Sequence, residues 1–160
     1  MTLIVLTFCC AITLHNIEEA IWLPKWSQQA SKFQKPVTSR EFLFAVSIIT
    51  LLAYLSAFLY LKFPDFQVGK WIFIGFLSSM ALNAIFPHLL VTILMKAYAP
   101  GLMTGMLLNV PINCLILYEL SQRGVLSWQE LLLSTIVVAP CLIAIIPLLF
   151  FIGRKLSAFT

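Results

Sequence analysis

The sequence predicts an all-α protein, a membrane-embedded bundle of about five transmembrane helices. Three observations carry that expectation. Hydrophobic residues make up 61% of the 160 positions and charged residues 10%, whereas soluble domains carry about 25% charged residues. Mean hydropathy is +1.01. The apolar residues fall into five runs, each close to the roughly 20 residues that a spanning helix needs. Short polar connections separate them, so residues 1–160 read as one transmembrane domain without room for a separate soluble one.

The first helix is expected over residues 2–23, with Trp22 and Trp26 at its end as interfacial aromatics. Pro24 is expected to terminate it, because proline brings no backbone donor. Met1-Thr2-Leu3-Ile4 lacks a basic side chain, and no Ala-x-Ala pattern follows the apolar run. The segment therefore reads as a retained helix and not as a secretory signal. A polar stretch follows, with Lys25, Lys32, Lys35 and Arg40. Within it, residues 28–33 suggest a short helix on the membrane surface.

The second helix is expected over 41–61, with Ser39 as its cap and Glu41 in its first turn. The third is expected over 71–95 and carries Asn83, Pro87 and His88. The fourth, over 102–120, carries Thr104, Asn109, Pro111 and Asn113. The fifth, over 130–152, has no ionisable residue after Glu130 but contains Pro140 and Pro147. Prolines are frequent in membrane helices, and these two carry no functional reading.

The net charge is +4. The basic residues sit in the connections, so they read as topology signals and not as a nucleic-acid surface. With five crossings, Lys25, Lys32, Lys35, Arg40, Lys96, Arg154 and Lys155 share one side, seven against Lys62, Lys70 and Arg123 on the other. The basic side should be cytoplasmic, with the N-terminus outside and the C-terminus inside. The expected location is the cytoplasmic (plasma) membrane of a prokaryote. Cys9, Cys10, Cys114 and Cys141 form no CxxC pair and lie in apolar runs, where cysteine packs as a small hydrophobe.

The exception to this apolar pattern is His15-Asn16-Ile17-Glu18-Glu19 in the first helix. A charged glutamate at the centre of a bilayer helix costs roughly 2.5–3.5 kcal/mol on insertion scales, so such residues face protein or water and mark function by default. Positions i, i+3 and i+4 share a helical face, which lets His15, Glu18 and Glu19 converge. At about 1.5 Å per residue, His15, His88 and Asn109 lie roughly 10–12 Å from the same membrane face. Pro87 frees the carbonyl of Asn83 beside this level, and Pro111 frees that of Leu107. Irregular backbone at membrane depth is tolerated where it lines a protein-buried or wet cavity.

Two imidazoles and carboxylates suit a divalent metal, zinc or iron. The spacing is analogous to the inverted zinc motif H-x-x-E-H, with glutamate in place of its last histidine. By that analogy His15, Glu19 and His88 are the candidate metal ligands. Glu18 is the candidate catalytic residue, either a base or a partner behind the ligands. Asn83, Thr104 and Asn109 are candidate supporting polar residues, and Asn109 with Asn113 also suits interhelical hydrogen bonding.

The sequence resembles the HXXEE family of small integral membrane proteins. The resemblance rests on His15-Asn16-Ile17-Glu18-Glu19, on Asn83 and His88, and on Tyr98, Pro100, Gly101 and Thr104. It covers about residues 10–150 and implies a membrane bundle with a polar site, without naming a substrate. The leading functional expectation is a metal-dependent membrane enzyme acting on an apolar or lipid-like molecule, in contact with membrane lipid. The alternatives are a proton-coupled transporter or channel and a structural membrane protein. The sequence has no internal repeat, so a transporter would require assembly into a homo-oligomer.

Overall fold

The computed structural model describes residues 2–33 and 35–157. Gln34, inside the expected first connection, lies outside the described residues. The described chain is helical throughout, with five helices long and apolar enough to cross a bilayer. They are α1 (Thr2–Gln29), α2 (Ser39–Lys62), α3 (Gln67–Met95), α4 (Leu102–Gln122) and α5 (Trp128–Ser157). The protein is an integral membrane protein built as an all-α bundle.

The core explains the packing order. Val5, Phe8 and Ile12 of α1 meet Phe73, Ile74 and Leu77 of α3, with Ile116 and Leu120 of α4 in the same cluster. Phe8 and Phe73 pack edge to face, ring centroids 5.6 Å apart, and Tyr60 stacks on Phe73 at 4.8 Å. On α2, Ala45, Ile49, Ala53 and Ala57 recur every fourth residue and are buried. Small residues at that spacing let membrane helices approach closely. Gly75 does the same between α3 and α5: a Cβ there would run into Val138 and stand 2.8 Å from the Ser134 carbonyl.

Two ion pairs fix the ends of α5. Arg154 donates to Glu41 at 2.8 Å, placing the end of α5 beside the start of α2. Lys70 pairs with Glu130 at 2.5 Å, placing the starts of α3 and α5 together. The Lys70 ammonium also donates to the Val125 carbonyl at 3.2 Å.

Several local expectations need correction. α1 does not stop at Pro24 but runs through it to Gln29. Proline removes one hydrogen bond, yet Pro24 is buried, and Leu23 and Trp26 beside it pack on Val37, Phe42 and Val46. That burial offsets a single lost backbone bond. Residues 28–33 form no separate surface helix: Gln28 and Gln29 complete α1, and a turn follows, Phe33 N–H to Ala30 C=O at 2.8 Å. The cap of α2 is Thr38, not Ser39. Its hydroxyl accepts from the Glu41 N–H, and the Glu41 carboxylate accepts from the Thr38 N–H. This is a reciprocal capping box.

The two helices with the site's prolines are irregular there. α3 is kinked within Ala84–Leu89, where Phe86 stands at φ −128° and ψ 114°, outside the helical region. α4 contains a π-helical segment over Gly105–Asn109, immediately before Val110 and Pro111. The kink of α3 and the π turn of α4 touch, and π turns inside α-helices occur frequently at functional sites.

Candidate metal centre

α1 and α3 bring His15, Glu19 and His88 together. Both histidines are buried, at 1% and 5% exposure. Glu19 Oε1 lies 3.2 Å from His88 Nε2 and 3.9 Å from His15 Nε2. The imidazole rings meet edge to face at a centroid distance of 5.3 Å. One ligand atom from each of the three residues falls within 4.8 Å of the others. Asn83, one turn before the break in α3, closes the group. Its amide nitrogen is 3.0 Å from His88 Nε2 and 3.4 Å from His15 Nε2.

The connection between α3 and α4 covers this group. Lys96 ends α3 in the left-handed region, φ 50°. Gly101 starts α4 at φ 88°, where other residues are strained. A Cβ on Gly101 would come within 2.8 Å of His88 Cε1 and 2.9 Å of His15 Cε1. Only a bare backbone can lie on both rings.

Glu18 faces this connection instead of the histidine pair. Its Oε1 accepts from the Gly101 N–H at 2.8 Å and from the Tyr98 hydroxyl. Its Oε2 accepts from the Thr104 N–H at 3.1 Å and from the Thr104 hydroxyl at 2.5 Å. Burial, and then the bond to Glu18, push the Tyr98 phenol above its ordinary range and keep it a donor. Thr104 Oγ1 also lies 3.1 Å from His15 Nδ1. Consecutive residues on a helix point about 100° apart, and the two adjacent glutamates serve different neighbours.

Asn109 is fully buried, but neither of its amide atoms has a hydrogen-bond partner among the described residues. The same holds for Asn113. Neither makes the interhelical hydrogen bond that the sequence suggested. Asn16 does bond across helices, donating to Thr50 Oγ1 on α2 at 2.7 Å.

A cavity of about 390 Å³ opens onto the group. His15, Glu19, Asn83 and His88 form its polar wall. Leu23, Phe42, Val46, Ile49, Met80, Ile146, Pro147 and Phe150 form its apolar wall, and Lys35 also lines it. Sequence reasoning did not place α5 or Lys35 here. The contribution of α5 is apolar and leaves no chemical signal in a chain this hydrophobic.

The sequence model of a family described as "Protein of unknown function with HXXEE motif" matches residues 6–116. The chain belongs to the HXXEE family. A relative from Bacillus subtilis (strain 168), the uncharacterized protein YrkK, is 62% identical to this HXXEE protein over 157 residues. The match covers 98% of this chain and 99% of the relative. No solved structure matches. In this HXXEE protein the motif residues are His15, Glu18 and Glu19. The first and last stand with His88, and the middle one holds the α3–α4 connection.

Proposed function

We propose that this protein is a metal-dependent membrane enzyme acting on an apolar or lipid-like molecule. The observation that carries this reading is the convergence of the buried His15 and His88 with the part-buried Glu19. Asn83 stands beside it, its amide nitrogen within 3.4 Å of both Nε2 atoms, so the two rings turn the same nitrogen toward one point. Ligand atoms of a tetrahedral zinc site with bonds of about 2.0–2.1 Å stand about 3.3 Å apart. The 3.2 Å separation of Glu19 and His88 matches that value, and the 3.9 Å separation of Glu19 and His15 exceeds it, so His15 would move closer on binding. Two histidines and one carboxylate also suit iron(II), with positions left open.

When bound, a divalent ion with an open position would polarise a substrate oxygen or acidify a bound water. The chain's own residues do the rest. Gly101 shields one side of the rings, and the apolar wall of the cavity receives a hydrocarbon body. Lys35, a cation lining the cavity, suits an acidic head group. In this reading Glu18 stands behind the ligands and holds the connection. The charge distribution supports an N-terminus outside and a cytoplasmic C-terminus, and the Bacillus relative supports the cytoplasmic membrane of a prokaryote.

The test is elemental analysis of protein purified in mild detergent without chelator, after expression with metal supplied. The expected result is about one zinc or iron ion per chain. Folded, stable, metal-free protein would overturn the proposal and favour the competing reading of a proton-coupled transporter.

A further inference from the structure

We propose that Glu18 is a positioning residue that fixes the tautomer of His15 through Thr104. The tautomer follows from geometry alone; its use, to aim a lone pair at a cation, rests on the function proposed above.

Glu18 receives the Tyr98 hydroxyl, the Gly101 N–H and the Thr104 N–H. A carboxylate surrounded by donors serves as an ionised acceptor. Thr104 has one hydroxyl proton and two lone pairs. At 2.5 Å from Glu18 Oε2, that proton is donated to the carboxylate. What Thr104 Oγ1 offers His15 Nδ1, 3.1 Å away, is therefore a lone pair. Nδ1 must carry the hydrogen, and the neutral ring presents a bare Nε2. That nitrogen is the one turned toward Glu19 and Asn83.

The arrangement gives the paired glutamates of the motif separate tasks. Glu19 reaches the histidines directly. Glu18 reaches His15 only by way of a hydroxyl on α4, and the same carboxylate anchors Gly101 over the rings. Groups that orient ligating histidines in this way are worth about 10–100-fold in metal affinity.

The chain has two histidines, so ¹⁵N-labelled histidine gives a readable spectrum, assigned with a His88→Gln variant. In metal-free protein at neutral pH, His15 should carry its proton on Nδ1. Thr104→Ser should preserve that state. Thr104→Val should abolish the preference and, in metal-loaded samples, weaken zinc affinity by about 10–100-fold. A wild-type His15 with a bare Nδ1 and a protonated Nε2 would overturn the proposal. So would a Thr104→Val spectrum identical to wild type. If Thr104→Val does not fold, the wild-type spectrum decides the case. Wild type that binds no metal but shows the Nδ1 proton would end the enzyme reading and leave this one standing. Retained metal with the proton on Nε2 would do the reverse.

Discussion

The Glu19 carboxylate of α1 lies 3.2 Å from the His88 imidazole of α3, Oε1 to Nε2. A contact this short between a buried imidazole and a part-buried carboxylate of different helices makes each dependent on the other. Glu19→Gln keeps the shape and removes the charge. It should lower retained zinc or iron several-fold while the protein stays folded. His15→Ala and His88→Ala should each lower it further. Metal content at the wild-type level in all three variants would remove the site.

Gly101 should be intolerant of any side chain. Alanine at φ 88° is strained, and its methyl would press on both imidazoles. Gly101→Ala should destabilise the protein by more than about 1 kcal/mol and also reduce bound metal. Thermal unfolding in detergent, read beside metal content, checks both. A stable variant with full metal would mean that the connection does not lie on the rings.

Asn113 supplies a test in the opposite direction. A buried polar group without a partner costs about 1–3 kcal/mol, and both amide atoms of Asn113 are in that state. Asn113→Leu should therefore raise the unfolding midpoint. A drop would show that the amide is paired in the purified protein.

Topology can be read with reporter fusions at Lys35 and Phe66, which lie in successive connections. They should report opposite sides, with Lys35 cytoplasmic as the positive-inside rule requires. The same side for both would exclude five crossings.

The five helices were legible because long apolar runs leave few alternatives in a chain this hydrophobic. The grouping of His15 with His88 was legible from depth, since rise per residue is fixed. Depth does not say which way a side chain turns, however. Glu18 and Glu19 share a level, and only the α3–α4 connection separates their tasks. The helix through Pro24 was hidden for a similar reason. Local chemistry marks a stop there, and packing on Phe42 and Val37 overrides it. The capping residue of α2 is ambiguous in the sequence, because Thr38 and Ser39 are both good caps and only the bond to Glu41 distinguishes them.

The π-helical segment of α4 carries one residue more than a regular turn would hold. It is a splice, an extra position absorbed without turning the flanking stretches. Deleting Met106 should let the backbone relax to an ordinary α-helix, with Thr104 below and Ile116 and Leu120 above close to their present orientations. Deleting Leu115 instead should swing one end of α4 by about 100° and ruin the core. The chain thus has one spare residue in a membrane span, placed beside its most polar group. Loss of one residue there should leave the bundle intact.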